Sequence, residues 1–391
     1  MPSGFLARVL PRLGIAVLLI GGLHYYIGSR VISRAGLPGW VAFLAWTTLW
    51  LLLVSIPAGL LSWRLLPAPI ARRLRSISNL WIGVFGVLLS AVVLTDIARM
   101  VWLAVGQATA EQRAAAGAVQ ALAIALLVVP AVLIGIRTAK GSPKLEKIRV
   151  PIRRLGQGFD GFRIVQLSDL HVSESVPTRF LDAIVDRVNA MQADVVAITG
   201  DLIDGDVEDL RERVAPLRRL RAREGLFFVT GNHEYYHGVH AWEAEVKRLG
   251  IAVLRNEHRV LRRGADALVL AGVPDYHGGQ FDPSHESRPA LAFFRAPEDV
   301  PRILLAHQPR SVVEAAAQRV DLQISGHTHG GQIFPFMFFV RLQQPVVSGL
   351  RKLHGIWVYT SRGTGYWGPP MRLGSRPEIT EITLYSPTSK F

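Results

Sequence analysis

Long stretches without a single charged side chain divide the first third of the chain. Four of them lack Asp, Glu, Lys and Arg: Leu13–Ser29, Val41–Trp63, Ser76–Thr95 and Ala114–Ile136. A helix needs about 20 apolar residues to cross the hydrocarbon core of a bilayer, so the last three are long enough to span it. The first has 17 residues and also fits a signal-peptide core or a buried helix, but no small-residue cleavage motif follows it. The pattern predicts four transmembrane helices; a very hydrophobic soluble helical domain is the alternative.

Basic residues around these stretches lie mostly on one side of the predicted membrane. Ten Lys or Arg residues precede the first span or follow the second and fourth, whereas Arg30, Arg34 and Arg113 lie on the other side. Because cytoplasmic loops carry the excess of basic residues, we expect a multi-pass protein of the inner (cytoplasmic) membrane. Its N-terminus and its C-terminal part would then face the cytoplasm. This orientation reverses for the C-terminal part if the first stretch is not a span.

The net charge of +14 is located mainly in this apolar region. Residues 1–147 hold 14 Lys and Arg against three acidic residues, which leaves a net charge of only +3 for the rest. A basic chain can indicate nucleic-acid binding. Here the basic residues accompany the predicted spans, so the charge indicates membrane topology and predicts no nucleic-acid partner.

From Ile148 onward the hydrophobic pattern changes to short apolar runs that end in polar or glycine-rich residues. The runs are Arg163–Leu167, Val195–Ile198, Leu226–Val229, Leu268–Ala271, Ile303–Ala306 and Leu322–Ile324. They are continuous, as expected for strands buried on both faces. Helix-like stretches separate them: Thr178–Ala190, Glu208–Arg221, Ala241–Leu249 and Ser311–Ala317. Alternating strands and helices predict an α/β domain, preceded by a basic linker at Lys140–Arg149.

Polar residues follow five of the six predicted strands, at the point where each strand ends. The segments are SDLH, TGDLID, TGNHE, AHQP and SGHTHGG, which carry Asp169 and His171, Asp201, Asn232 and His233, His307, and His327 and His329. Ligands of α/β sheets gather at the carboxyl ends of the strands. We therefore expect these side chains to meet at one edge of the domain.

Carboxylates, an amide and several imidazoles at one edge make a site for metal ions. The chain contains no cysteine, so only oxygen and nitrogen ligands are available. The set is too large for one ion and suits two. Two ions about 3.5–4 Å apart clamp phosphoryl oxygens and activate a water for in-line attack at phosphorus. The ligands fit Mn²⁺, Zn²⁺ or Fe²⁺ and do not distinguish among them.

These motifs, D-x-H, G-D, G-N-H-E, H and G-H-x-H in this order, resemble the calcineurin-like metallophosphoesterase superfamily over about residues 160–385. The resemblance implies a central β-sandwich flanked by helices and a dinuclear metal centre. The form GHTHGGQ and the tail SRGTG…MRLGSRPEIT are more specifically similar to a bacterial branch. That branch includes membrane-associated phosphodiesterases and a UDP-2,3-diacylglucosamine hydrolase. The implied organisation is a transmembrane region (1–139), a basic linker and domain entry (140–159) and a metallophosphoesterase domain (160–391).

The resemblance also implies a role for each motif residue. One metal would be held by Asp169, His171, Asp201 and His329, and the second by the bridging Asp201 with Asn232, His307 and His327. His233 would face the substrate, contacting its phosphate or protonating the leaving oxygen. His233 and Asp201 are thus the predicted catalytic residues, and Asn232 and His233 also contact substrate.

The residues after the last histidine pair, IFPFMFFV, are apolar. A buried strand or core loop is one interpretation, although Pro335 argues against a central strand. The other is a lipid-access segment at the membrane interface, made by Phe334, Phe336, Met337, Phe338 and Phe339. Arg362 and Arg372 lie in glycine-rich segments and are candidate ligands for a second phosphate or a carboxylate.

Together these features predict a membrane-anchored phosphoric ester hydrolase that uses two divalent metal ions. Its substrate would carry a phosphodiester or pyrophosphate bond in a lipid-linked molecule, such as a UDP-diacylglucosamine-like lipid. Two alternatives are a phosphodiesterase or phosphatase tethered by its helices and acting on a soluble substrate, and a membrane scaffold or transporter with a regulatory esterase domain. The sequence does not indicate an oligomeric state.

Overall fold

The structure is a computed structural model that describes residues 3–106 and 108–387, without the side chains of residues 3–13, 15, 16, 63–65 and 114. The chain divides into two compact units. One comprises residues 1–137 together with Gly368–Leu373, and the other comprises Thr138–Trp367 and Gly374–Phe391. The boundaries expected after residues 139 and 159 stay predictions.

The first unit is built from long helices. They are α1 (Ser3–Gly28), α2 (Gly39–Leu65), α3 (Ala68–Val105) and α4 (Ala110–Lys140). Among the described residues, three helical segments are long and apolar enough to cross a membrane: Gly39–Ser62, Ala68–Val105 and Ala110–Lys140. They correspond to the last three predicted spans, although the first of the three segments ends one residue before Trp63. The first predicted span lies in α1, part of whose side chains are outside the described residues, so a fourth span stays a prediction.

A polar network connects three of these helices. The Asp96 carboxylate on α3 accepts hydrogen bonds from the Tyr26 hydroxyl at 2.6 Å, from Arg30 Nε at 2.7 Å and from Gln120 Nε2 on α4 at 2.6 Å. Charged groups in apolar helices are costly unless they are paired within the helix bundle. Asp96 and Arg30 meet that condition, so their charges are compatible with helices that cross a bilayer.

Within its described residues, up to residue 387, the second unit contains twelve strands and seven α-helices. The strands are β1 (Lys144–Pro151), β2 (Arg163–Leu167), β3 (Val195–Thr199), β4 (Gly225–Val229), β5 (Ala252–Val253), β6 (Glu257–Arg263), β7 (Asp266–Gly272), β8 (Arg302–Leu305), β9 (Leu322–Ser325), β10 (Gly349–Leu353), β11 (Ile356–Thr360) and β12 (Glu378–Tyr385). The helices are α5 (Thr178–Ala190), α6 (Val207–Val214), α7 (Asn232–Tyr236), α8 (Val239–Arg248), α9 (Pro289–Ala292), α10 (Val312–Ala315) and α11 (Met337–Val340). The six predicted strands correspond to β2, β3, β4, β7, β8 and β9.

The strands form two mixed sheets of six strands each. The order is β1-β12-β2-β3-β4-β5 in the first sheet and β10-β11-β9-β8-β7-β6 in the second. The runs β2-β3-β4-β5 and β7-β8-β9-β11 are parallel, whereas β12 and the outer pairs β6-β7 and β10-β11 introduce antiparallel pairing. The predicted α/β class is confirmed.

Three hydrophobic clusters explain why the strand sequences are continuously apolar. One contains residues of both sheets, such as Phe227 of the first and Leu270 of the second. Another joins the first sheet to α5, α6 and α8, with Trp242 fully buried, and the third joins the second sheet to α9 and α10. Central strands therefore have apolar neighbours on both faces, which removes the alternation of half-exposed strands.

The segment predicted as a basic linker contains a strand instead. Residues Lys144–Pro151 form β1 and pair in parallel with β12, with Ile148 opposite Ile382. Its charged side chains are mostly exposed or half-buried because β1 is at the edge of the first sheet. Its partner lies more than 200 residues away along the chain, so composition alone indicated only a linker.

Candidate metal centre

The polar segments after five strands meet at one edge of the second unit. The loops after β2, β3 and β4 carry Asp169, His171, Asp201, Asn232 and His233, and those after β8 and β9 carry His307, His327 and His329. Seven of these eight side chains belong to close groups of potential metal ligands, among which donor atoms lie within 4.8 Å of one another. The eighth, Asn232, carries an amide, whereas the groups consist of imidazoles and carboxylates. The expected convergence at the carboxyl ends of the strands is therefore what the fold produces.

The first group consists of Asp169, His171 and His329. The Nε2 atoms of His171 and His329 lie 3.1 Å apart, and His329 Nε2 lies 3.4 Å from Asp169 Oδ1. All three side chains are buried. Two imidazole nitrogens and a carboxylate oxygen directed at a common point form a donor set suited to a divalent cation.

The second group consists of Asp201, His307 and His327. His307 Nε2 lies 3.1 Å from Asp201 Oδ2 and 3.2 Å from His327 Nδ1. Asp201 Oδ2 is also 3.9 Å from His171 Nε2 of the first group. Asp201 therefore lies between the two groups, where a carboxylate can bridge two ions. The first group contains three of the four ligands expected for one metal, and the second contains three of the four expected for the other; the assignment itself stays a prediction.

Backbone strain is concentrated in the same loops. Asp169, His171, Asp201, His327 and His329 all have positive φ, between 46° and 70°. Such values are uncommon for residues with a side chain, and they persist only where the surrounding structure holds them. With these backbone conformations the side chains of neighbouring loops point toward one another. Strained backbone of this kind is typical of functional sites.

Two glycines allow the loops to approach each other. A methyl group on Gly326 would overlap the Asp169 carboxylate, and one on Gly231 would overlap Asp201 Oδ1. The glycines of SGH and GNH are thus required because neighbouring atoms leave no room for a side chain. Each motif therefore contains a glycine needed for packing next to a candidate ligand.

Asp204 is a site residue that the sequence analysis did not identify. Its Oδ1 lies 2.9 Å from His171 Nδ1 and 2.5 Å from His233 Nδ1. A proton on His171 Nδ1 that is donated to Asp204 leaves the Nε2 lone pair directed at the first group. His307 is oriented in the same way, because its Nδ1 donates to the Thr199 carbonyl at 2.7 Å. The available signal was the second carboxylate in GDLID, three residues after Asp201.

Glu234 was also missed, and it supports two of the loops. Its buried carboxylate accepts backbone hydrogen bonds from Gly231 at 2.6 Å, Leu202 at 2.8 Å and Asp201 at 3.1 Å. It therefore joins the loop after β3 to the start of α7. This contact accounts for the glutamate in GNHE without giving it a role toward a ligand.

The next pair, Asn232 and His233, begins α7. The backbone N–H of His233 donates to Asp201 Oδ1 at 2.9 Å, which holds the start of the helix against the second group. Asn232 Oδ1 is buried and accepts no hydrogen bond from the described residues. Because an orphaned buried oxygen is costly, it fits a ligand atom for a cation.

The ionisation of the second group fits metal binding. Burial lowers the pKa of His327 to about 3, so this imidazole is neutral and has a lone pair to donate. Burial opposes ionisation of Asp201, yet the charges of His307 and His233 hold the pKa of Asp201 well below its usual range. The reciprocal attraction to Asp201 raises the pKa of His307 well above its usual range, despite burial. A cation would replace the proton on His307 and satisfy the same carboxylates.

Metal affinity should therefore rise with pH. At neutral pH the metal-free protein holds a proton on His307 that coordination must displace, since the pKa of this imidazole is raised in the fold. The apparent association constant should increase by up to about tenfold per pH unit for each proton released. Titration calorimetry with Mn²⁺ in buffers of different ionisation enthalpy measures that proton release directly. A binding enthalpy independent of the buffer contradicts this prediction.

The two candidate arginines occupy different surroundings. Arg362 donates from Nη1 to the Glu378 carboxylate at 2.6 Å and lies beside Gly330 of the histidine loop. Arg372 is fully buried and belongs to the segment Gly368–Leu373, which groups with the helical unit. Substrate binding by either arginine stays a prediction.

The apolar run after His329 is exposed. Phe334, Phe336, Phe338 and Phe339 are exposed, with Phe339 at 62%, and Met337 is half-buried. The chain bends after Pro335 into the short helix α11. The interpretation as a buried strand or core loop is therefore wrong for these phenylalanines, and the expected interruption at Pro335 is confirmed.

Comparison with known proteins agrees with this geometry. Residues 162–331 match the model of the calcineurin-like phosphoesterase family. Relatives include proteins described as "Transmembrane protein with metallophosphoesterase domain" from Danio rerio and Bos taurus. They are 38% and 40% identical over 71% and 68% of this chain, and 65% and 62% of their own lengths are covered. The chain thus spans slightly less than two thirds of these two relatives.

A bacterial relative is matched over more of its own length. An uncharacterised metallophosphoesterase of Bacillus subtilis is 32% identical over 59% of this chain and 81% of that protein. The three apolar helices indicate membrane association. The names of the two vertebrate relatives also describe those proteins as transmembrane. Every motif of the metallophosphoesterase pattern is present in the matched region or directly beside it, and the chain belongs to the calcineurin-like phosphoesterase family.

Proposed function

We propose that this protein is a membrane-anchored, metal-dependent hydrolase of a phosphodiester or pyrophosphate bond in a lipid-linked substrate, such as a UDP-diacylglucosamine-like molecule. The observation that carries the proposal is the pair of buried ligand groups, with Asp201 of the second group only 3.9 Å from His171 of the first. A central β-sandwich, a fourth span, and a catalytic domain on the cytoplasmic side of the inner membrane belong to the same proposal.

Two divalent cations, Mn²⁺, Zn²⁺ or Fe²⁺, would supply Lewis-acid activation of the phosphoryl group and of the attacking water. Asp169, His171, Asp201 and His329 would hold one ion. Asp201, Asn232, His307 and His327 would hold the other. The protein contributes rigid placement, since the strained loops orient the ligand nitrogens before any ligand arrives, together with the hydrogen bonds that His171 donates to Asp204 and His307 donates to the Thr199 carbonyl.

His233 is positioned to supply a proton to the leaving oxygen. Burial lowers its proton affinity, but the charges of Asp201 and Asp204 outweigh this and raise the pKa of His233 to about 9 in the metal-free protein. The imidazole is therefore an acid at neutral pH. Its Nδ1 lies 2.5 Å from Asp204 Oδ1, an ion-pair contact, which leaves Nε2 as the nitrogen available to a substrate.

The exposed phenylalanines favour a lipid-linked substrate over a soluble one. An exposed cluster of large apolar side chains in one loop is uncommon on soluble proteins and typical of surfaces that meet lipid or a partner. The cluster follows His329 directly in sequence, and the chain carries helices apolar enough for a bilayer. These observations support interfacial binding of a lipid tail or of the membrane surface by Phe334, Phe336, Met337, Phe338 and Phe339.

A charged pair in this loop tests the lipid proposal. The full chain in lipid nanodiscs with Mn²⁺ is given a membrane lipid extract and a water-soluble diester, and products are identified by mass spectrometry. The double variant Phe338→Asp/Phe339→Asp should lose about tenfold or more in kcat/KM toward the lipid substrate, because burying each Phe contributes about 1.5–3 kcal/mol. Hydrolysis of the soluble diester should change by less than about twofold.

The matched control is Phe294→Asp, since Phe294 is 61% exposed on another segment, close to the value for Phe339. It should leave both activities unchanged. Equal rates of lipid hydrolysis in the wild type and the double variant contradict the lipid role. A wild type that hydrolyses only the soluble diester supports the tethered-phosphodiesterase alternative, and one that hydrolyses neither substrate supports the scaffold or transporter.

A further inference from the structure

Two exposed aromatic rings flank His233. The Tyr236 ring centroid lies 5.2 Å from that of His233 with an interplanar angle of 62°, and the Trp367 centroid lies 5.8 Å away at 77°. Tyr236 is 56% exposed and Trp367 is 53% exposed. They come from segments about 130 residues apart in the chain and lie at the same imidazole.

Each ring is positioned by a loop that carries candidate metal ligands. Tyr236 is the last residue of α7, which begins at Asn232, and the Asn232 side chain donates to the Tyr236 hydroxyl at 3.4 Å. On its other side the Tyr236 ring packs edge-to-face against Phe281, 5.7 Å away. The ring is therefore oriented by the loop that also presents His233.

Trp367 is held by the last residue of the GHTHGGQ motif. Gln332 Nε2 donates to the Trp367 carbonyl at 2.7 Å, and its Oε1 accepts from the Trp367 N–H at 3.1 Å. Gln332 itself has a positive φ of 52°, so its amide is directed by the same strained turn as His329. This pair of hydrogen bonds explains the glutamine of the motif by its contact with a segment far along the chain.

Burial of a large aromatic side chain stabilises a protein, and a side chain that is half exposed provides only part of that stabilisation. When such rings lie beside a binding site, a ligand that covers their exposed surface gains binding free energy from that burial. In the proposed function His233 faces the leaving oxygen of the substrate, so the group bonded to that oxygen would lie beside these two rings. Aromatic faces favour flat rings and the CH faces of sugars over flexible chains.

We propose that Tyr236 and Trp367 form a leaving-group subsite that binds a ring, either an aromatic ring such as a nucleobase or the saturated ring of a sugar. This inference deepens the proposed function and rests on it for the position of the leaving group. The subsite selects the ring next to the cleaved bond, whereas the phenylalanine loop acts on the lipid part of the substrate.

The test compares three methyl phosphodiesters with the same number of carbons in the second alcohol: methyl benzyl, methyl cyclohexylmethyl and methyl n-heptyl phosphate. For the full chain with Mn²⁺, Trp367→Ala should lower kcat/KM about three- to tenfold for the benzyl diester, the range expected for one aromatic contact. The n-heptyl diester should change by less than about twofold. Trp367→Phe should restore most of the benzyl activity, and Phe294→Ala should alter none of the three.

The three substrates separate the two kinds of ring. Loss with the benzyl and cyclohexylmethyl diesters together indicates a subsite for any ring, as in a sugar, and loss with the benzyl diester alone indicates an aromatic group. An equal loss with all three diesters overturns the subsite, while metal-dependent turnover by the wild type leaves the proposed function intact.

Calorimetry with non-hydrolysable methyl benzylphosphonate and methyl n-heptylphosphonate provides a readout that does not require turnover. A preference for the benzyl compound that disappears in Trp367→Ala and Tyr236→Ala supports ring binding by these residues even if none of the three diesters is hydrolysed. Hydrolysis of the lipid extract is the separate test of the proposed function. No preference in the wild type overturns the subsite.

Discussion

Asp201→Ala is expected to lower metal-dependent hydrolysis by about a thousandfold or more, because the transition-state stabilisation by two ions amounts to several kcal/mol. Asp201 belongs to the second ligand group and lies beside the first, 3.1 Å from His307 and 3.9 Å from His171. Its Oδ1 also accepts the His233 N–H, so the substitution removes the bridge between the groups and one anchor of α7. The metal content of the purified variant, measured by mass spectrometry, should fall together with the activity.

The control for this variant is Asp209→Ala, which removes an exposed carboxylate from α6. It should retain full activity and metal content. Because Asp201 is buried and holds neighbouring loops, thermal unfolding and circular dichroism must show that the variant is folded. A folded Asp201→Ala protein with wild-type hydrolysis would falsify the shared metal centre.

The second large effect is expected for His233→Asn, and it should depend on the leaving group. Removing a general acid typically costs about 10²- to 10⁴-fold in rate. That loss should appear with alkyl diesters, whose leaving oxygen needs a proton. It should be less than about tenfold with a p-nitrophenyl ester, whose leaving group departs as a stable anion. Metal content should be unchanged, since His233 is assigned to the substrate.

Asp204→Asn should also lower the rate more for alkyl diesters than for a p-nitrophenyl ester, with a smaller loss than in His233→Asn. Asp204 contacts Nδ1 of both His233 and His171, so its loss disturbs the proton donor and one ligand of the first group. His258→Asn is the control, because His258 is half-buried on β6, outside the ligand groups, with its Nδ1 2.8 Å from the Ala292 carbonyl. An equal loss with alkyl and p-nitrophenyl esters in His233→Asn contradicts the proton-donor role and leaves a positioning role.

Much of the fold and of the candidate site was predictable from local pattern. The six apolar runs are strands, and Thr178–Ala190 is a helix with the expected bounds. They were recognisable because strands buried on both faces are continuously apolar and an amphipathic helix repeats every 3.6 residues. The ligand candidates were recognisable because each follows a strand directly. Parallel strands in one sheet end at the same edge, so position in the chain implied proximity within each sheet, while the packing of the two sheets brings the loops after β8 and β9 to those after β2, β3 and β4.

Strands and contacts that depend on distant partners were not predictable in this way. The strand β1 was interpreted as a linker, because its partner β12 lies at the other end of the domain. Glu234 and Asp204 look like ordinary acidic residues until the loops around them are in place. The apolar run after His329 left two interpretations open, and its exposure distinguishes them, since burial is a property of what packs against a side chain.

The sequence by itself therefore determined the class of chemistry: oxygen and nitrogen ligands, ordered by strand ends, in a chain that also carries membrane-length apolar helices. The tertiary structure alone decided how the groups are shared and oriented. It places Asp201 between the two ligand groups, directs His171 and His233 through Asp204, and brings Trp367 to His233 through Gln332. The physical reason is that a side chain's identity limits which bonds it can form, while its partners are selected by the packing of segments that the sequence separates by tens to hundreds of residues.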